Sequence, residues 1–182
     1  MAIELRFHGR GGQGTVTLAA LFADAAFGSG WHVLAYPAFG TERTGAPVAA
    51  FARVDRKPIF DRGQVRNPRI VVCQDPTLVG AIDVLDGLEP GGVVVINSER
   101  PLVELEGVHT VAIPATALAR KHLGVTVTST AMLGAVAAAT DLIDIDAVCT
   151  AITNRFSGDM AERNVALARA AHDTVVRGEE AA

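Results

Sequence analysis

A strand that runs straight into a glycine-rich turn and out into a helix leaves few folds open. Residues 3–8, IELRFH, read as a strand. Gly9-Arg10-Gly11-Gly12-Gln13-Gly14 follows it. Residues 13–28 read as a helix in which Val16, Leu18, Ala19, Leu21, Phe22 and Ala26 make a broad apolar face. Glycines in such a turn permit positive φ and close backbone approach, and a helix start presents unpaired N–H groups at the positive end of its dipole. The arrangement suits phosphate or another anion, or it serves only as a tight turn. It contains G-x-G-x-x-G at Gly9, Gly11 and Gly14. A dinucleotide fold also needs an acid near the end of the second strand to hold the ribose hydroxyls. The strand at 32–36 ends Leu34-Ala35-Tyr36-Pro37 with no acid, so tight NAD binding is not expected of this chain.

The rest of the chain continues the alternation. Strands are predicted at 47–54, 69–74, 93–97 and 109–113, with a helix over 77–88. Glycine-bearing loop fills 38–46, and a turn with a short extended piece follows at 56–59. From 114 onward the pattern is helical, over 115–123, 130–140, 144–156 and 159–177, with a frayed tail at 178–182. Strands alternating with helices predict an α/β fold. It is Rossmann-like, a mostly parallel sheet flanked by helices and covered on both sides, with a helical C-terminal third. No repeat or linker divides the chain, so residues 1–182 are expected to form a single domain.

Composition removes several function classes. Lys+Arg 16 against Asp+Glu 20 gives a net charge of −4, against a general nucleic-acid binder. Cys73 and Cys149 lie far apart, which leaves no disulfide framework, no sequence-local zinc site and no iron–sulfur cluster held by this chain alone. The five histidines show no i, i+4 pair, so metal ligation is not expected. The start, MAIELRFHGRGGQG, does not read as a signal peptide, and the longest apolar stretch, 130–140, is too short to span a bilayer. A cytoplasmic protein without a membrane partner is the expectation.

The oddest segment is Tyr36–Val48, YPAFGTERTGAPV. Glu42 and Arg43 are adjacent and reach different partners more readily than each other. In the expected fold this loop leaves the same sheet edge as the glycine loop, where open α/β sheets bind ligands; the alternative is a solvated turn. GRGGQG at 9–14 and YPAFGTERTGAPV at 36–48, with VVCQDPTL at 71–78, INS at 96–98 and TAMLGA at 130–135, together resemble the gamma subunits of the 2-oxoacid:ferredoxin oxidoreductases. The order and spacing hold over nearly the whole chain. The Glu-Arg-Thr-Gly form is more similar to the pyruvate and branched-chain types than to the 2-oxoglutarate type, whose loop more often has a double glycine after arginine. A similar gamma subunit occurs in complexes acting on aryl 2-oxoacids such as phenylglyoxylate, which pass electrons on to NAD.

The resemblance implies a multi-subunit enzyme. It oxidises a 2-oxoacid with coenzyme A to an acyl-CoA and carbon dioxide, using thiamine diphosphate with Mg and iron–sulfur clusters, with ferredoxin or NAD as acceptor. This chain has no G-D-G…N diphosphate motif, and Ser157-Gly158-Asp159-Met160 does not supply one. Those cofactors are therefore expected on partner subunits, and no catalytic residue is assigned here. Gly9, Arg10, Gly11, Gly12, Gln13, Gly14, Glu42, Arg43 and Thr44 are the candidate binding residues, lining either the coenzyme A site or a contact with a partner chain. The alternative is a free-standing nucleotide- or CoA-binding Rossmann-like module.

Other residues have two readings each. Arg53, Arg56, Lys57, Arg62, Arg66 and Arg69 form a basic run relieved only by Asp55 and Asp61. It is a solvated face, an interface with an acidic subunit, or an attractive field for an anionic substrate. Asn97 and Ser98 hydrogen-bond a ligand or turn the chain. His8 reads as a packed strand-end histidine, and both cysteines as core thiols.

Overall fold

The computed structural model describes residues 2–38, 44–102 and 106–180, with the side chains of 179 and 180 left out. The strands are β1 Ile3–Arg10, β2 His32–Pro37, β3 Pro47–Asp55, β4 Ile70–Cys73, β5 Val93–Asn97 and β6 His109–Ile113. The helices are α1 Thr15–Gly28, α2 Ala115–Leu123, α3 Ser129–Ala139, α4 Ile145–Arg155 and α5 Gly158–Glu180. One sheet has the order β2-β3-β1-β4-β5-β6. β1, β4, β5 and β6 pair in parallel, while β3 is antiparallel to both β1 and β2. Every strand except β3 therefore points the same way, as a mostly parallel sheet requires. β3 is reversed because only residues 38–46 join it to β2, too short a connection for a parallel crossover of a dozen or more residues.

Alternation along β1 separates the two faces. Leu5 and Phe7 point to the main core with Ala52, Val54, Ile70, Val72 and Val95. Leu18, Leu21 and Phe22 of α1 pack there, with the Phe7 and Phe22 rings 5.8 Å apart. All five helices contribute buried residues to this core. The opposite face is closed by loops rather than helices: Leu78 and Val84 cover Cys73 and Ile96. The expected α/β fold, a mostly parallel sheet flanked by helices and covered on both sides, is present, with the five described helices packed on one face.

The helix predicted over 77–88 is absent. A single 3-10 turn at Pro76–Leu78 is followed by turns. Asp75 Oδ1 accepts from Thr77 N and Asp83 Oδ1 from Leu85 N, local bonds that compete with a helix. Arg6 also draws carbonyls out of any helical ladder, donating to Val84 O at 3.1 Å and Asp86 O at 2.5 Å. The four C-terminal helices fall within a few residues of expectation. Asp144 caps α4 by accepting from Ala147 N, and α5 runs on to Glu180 instead of fraying after Arg177. No described helix is long and apolar enough to cross a membrane.

Candidate functional site

The carboxyl ends of the parallel strands bring together the glycine loop 9–14, Thr44, Asn97 and Ser98. β1 ends at Arg10, and α1 starts after a left-handed Gly14 with φ 82°. A side chain at Gly14 would be strained and would also stand 2.8 Å from Ser129 Oγ. Gly9 makes room for side chains: a Cβ there would lie 2.1 Å from Thr15 Oγ1 and 3.1 Å from Gln74 Oε1, and the Thr15 hydroxyl would have to turn away.

The two odd loops meet as expected. Gly11 bridges Thr44, Gly11 N donates to Ala46 O at 2.9 Å, and Gly45 N donates to Gly11 O at 3.1 Å. Gly11 N–H is thereby occupied, and Gln13 N–H donates to Arg10 O. The donors open to a ligand are those of the first helical turn, Thr15, Val16 and Thr17, which have no acceptor within the helix. That turn has no acidic residue and no side-chain cap, so its positive end is uncompensated. It opens on a cleft of about 280 Å³ whose walls include Arg10, Gly12, Thr17 and Val48. Glu42 and Arg43 lie outside the described residues.

A network that the sequence reading missed fixes the loop. Gln13 Oε1 accepts from Arg10 N, and Gln13 Nε2 donates to Asp75 Oδ2, both at 2.7 Å. Arg10 Nε lies 3.3 Å from Asp75 Oδ2, while its Nη2 donates to Thr77 Oγ1 and its Nη1 to Gly45 O. Arg10 therefore stitches three loops together at one edge. Burial pushes the Asp75 carboxyl up, but hydrogen bonds from Thr77 and Gln13 and the charge of Arg10 outweigh it and hold the group below its ordinary value. VVCQDPTL carried the resemblance but no chemical signature. Its role is visible only once β4 lies beside β1. Asp75→Ala removes these charge-assisted bonds and is expected to cost about 2 kcal/mol of stability, measured by urea unfolding at neutral pH.

Behind the loop, Gln74 is buried and donates from Nε2 to Gln13 O and to Thr128 Oγ1, both at 3.3 Å. Gln74 O accepts from Asn97 Nδ2 at 2.8 Å. Asn97 Oδ1 accepts from Thr116 N, at the start of α2. Asn97 thus ties strand ends together, on the wall of a second cleft of about 560 Å³ that Ser98 also lines.

The remaining candidates are structural. His8 is buried, and its Nε2 accepts from Arg6 Nε at 3.0 Å. Burial first, and then the Arg6 charge, lower its pKa to about 4. Cys73 Sγ donates to Asp75 O, and burial pushes that thiol up to about 11. Two buried thiols on different elements do not fit an iron–sulfur cluster, which takes four cysteine ligands. Arg53, from the basic run, is internal. It pairs with Glu4 at 2.6 Å and with Asp61 at 3.4 Å, and it donates to Tyr36 Oη.

Comparison with known proteins bears on this geometry. The family described as pyruvate ferredoxin/flavodoxin oxidoreductase matches residues 4–174. The pyruvate/ketoisovalerate oxidoreductases common subunit gamma of Pyrococcus furiosus is 46% identical over 177 residues, covering 94% of this chain and 96% of the relative. Pyruvate synthase subunit PorC of Methanocaldococcus jannaschii is 45% identical over 175 residues, covering 96% and 98%. The crystal structure of pyruvate oxidoreductase subunit PORC from Thermotoga maritima superposes with a TM-score of 0.81 at 30% identity, over 94% of this chain and 96% of that one. The 2-oxoglutarate:ferredoxin oxidoreductase of Magnetococcus marinus, with 2-oxoglutarate, coenzyme A and succinyl-CoA bound, shares the fold. Its TM-score is 0.79 at 17% identity, and the match spans 31% of that longer chain.

Proposed function

The chain belongs to the pyruvate ferredoxin/flavodoxin oxidoreductase family, and from that premise we propose that it is the gamma subunit of a multi-subunit 2-oxoacid oxidoreductase. The complex converts a 2-oxoacid and coenzyme A to an acyl-CoA, carbon dioxide, a proton and two electrons, which ferredoxin accepts. Near-full-length identity with subunits named for pyruvate and ketoisovalerate carries this reading and favours a small or branched aliphatic 2-oxoacid over an aryl one. Thiamine diphosphate, Mg and the clusters belong to partner subunits. This chain has no thiolate set for a cluster, and the cleft beside Arg10 suits an anion.

The cleft at the start of α1 holds an anionic group of coenzyme A. Its support is the uncapped helix start, the absence of acid in the first turn and the proximity of Arg10. Arg43, the residue before Thr44 in the sequence, is the further cation assigned to the same anion in this reading. The test is kinetics on the assembled complex. Thr17→Glu places a carboxylate among the first-turn donors, where it favours the helix by ~0.3–1 kcal/mol. It is expected to raise the Michaelis constant for coenzyme A by about tenfold or more, a change of ~1.4 kcal/mol, while the complex stays assembled. Arg43→Ala acts in the same direction. The isolated chain gives no 2-oxoacid-dependent reduction of an artificial electron acceptor. An unchanged constant in both variants removes the coenzyme A assignment, and turnover by the chain alone removes the subunit reading.

A further inference from the structure

The stretch 56–69 is strongly biased in charge: it holds five of the chain's 16 cations and one of its 20 carboxylates. That leaves the rest of the molecule acidic. The structure divides the basic run in a way the sequence could not. Arg53 turns inward and takes Asp61, the carboxylate of the stretch, as a partner. The Arg56 guanidinium carbon sits over the Trp31 ring, 3.6 Å from its centre. Lys57, Arg62, Arg66 and Arg69 are exposed and make no ion pair among the described residues. In their midst Phe60 is 88% exposed.

These side chains stand on an ordered platform. Gly63 O accepts from Arg53 Nη1 at 2.7 Å and from the Tyr36 hydroxyl. Asp61 Oδ1 accepts from Gly63 N at 2.7 Å, Pro68 O accepts from Glu89 N at 3.0 Å, and Val65 is fully buried. Fixed backbone lowers the ordering cost of an interface. The stretch starts and ends at the amino edge of the parallel strands, after β3 and before β4, opposite the glycine cleft. A partner held there leaves the cleft open.

We propose that residues 56–69 are the docking surface for an acidic face of another subunit of the complex, which seats Phe60 in an apolar pocket. Charge complementarity selects that occupant. Asp55 and Glu89 stand in the cleft beside Phe60, so the attraction comes from the cations outside it. Nucleic acid is disfavoured, because the cations form one short patch on a chain of net charge −4 rather than a stripe that tracks a phosphate backbone, whereas a protein face also takes the exposed Phe60. Aromatic side chains and arginine are enriched in protein interfaces relative to the rest of the surface. The inference rests on the reading of this chain as a subunit.

The test is co-assembly of the full chain with the other subunits of its complex, followed by sedimentation across a salt series. Exposed charges steer association and are screened by salt. Arg62→Glu/Arg66→Glu/Arg69→Glu is expected to weaken assembly by about 100-fold and to flatten its salt dependence. Phe60→Ser weakens it by about tenfold without changing the salt slope. A glutamine version of the triple variant serves if the glutamate version fails to fold, and it lowers affinity to an intermediate degree. Wild-type affinity in the triple and Phe60 variants overturns the proposal. So does loss, in those variants, of a homodimer alone with assembly intact, which assigns the surface to a second copy. Binding of a 20-nucleotide single-stranded RNA at physiological salt that disappears on charge reversal assigns it to nucleic acid instead. A wild-type chain that does not join the other subunits at all overturns the subunit reading itself, and this docking surface with it.

Discussion

Gly134→Ala is expected to destabilise the protein by roughly 3 kcal/mol, although alanine is the better helix former by ~1 kcal/mol. Gly134 lies in the middle of α3, and a Cβ there would stand 2.1 Å from Ala168 O and 2.9 Å from Ala168 C in α5. Those atoms are backbone of a packed helix and have no rotamer by which to withdraw, so one of the two helices must move as a body. Neither moves freely. Residues 129–137 of α3 are all buried, and Leu167, Ala168 and Ala171 of α5 are fully buried against the same core. The matched control is Gly178→Ala near the end of α5. A Cβ there meets nothing within 4 Å, and the substitution is expected to be neutral or stabilising by a few tenths of a kcal/mol. Urea unfolding of both variants decides the matter. A Gly134→Ala protein as stable as wild type would show that α3 and α5 are less tightly keyed than these distances say.

Much of this arrangement was legible beforehand. The near-continuous apolar run at 130–140 was too short for a bilayer, and the structure resolves it as a helix buried on nearly every side, the other fate open to such a segment. The reversal of β3 was also implicit, because residues 38–46 are too few for a parallel crossover. The failure at 77–88 has a physical source. Its apolar residues, Leu78, Val84 and Leu85, do turn inward, but onto the small second core through turns. The guanidinium that holds the carbonyls of Val84 and Asp86 belongs to Arg6, about 80 positions away. Local pattern contains no trace of a bond over that distance.

The candidate site divides along the same line. Gly9–Gly14 could be read at sight, since a strand, a glycine run and a helix in succession constrain local backbone. The meeting of this loop with Thr44 followed from strand direction. Asp75, Thr77 and Gln74 could not be read, because their meaning lies in their side-by-side placement with Arg10 and Gln13 once β4 pairs with β1. Arg53 could not be told apart from the rest of its run for a related reason. In a linear run it looks like one more surface cation, yet strand alternation turns it toward Glu4 and Tyr36 beneath the 56–69 stretch.

Acid should find the weak point at His8. In the folded chain the imidazole is buried beside Arg6 and has a pKa of about 4, whereas an unfolded chain returns it to 6.5. The folded value is the lower one, so between pH 6.5 and 4 the unfolded state binds the extra proton. Stability is therefore complete above pH 6.5 and falls as the pH drops toward 4, by about 3 kcal/mol in all. Asp75 acts in the same direction but in a different window. Its depressed carboxyl contributes above the ordinary aspartate value and loses that contribution only below it, as pH falls toward the folded value. The two are separable by where the loss occurs. His8→Gln keeps an acceptor for Arg6 Nε and removes the titration. Chemical denaturation at half-unit steps should show a steep decline for wild type between pH 6.5 and 4 and a nearly flat line for the variant over that range. A decline of equal depth in both proteins would place the acid sensitivity in another group and leave the burial of His8 without consequence for stability.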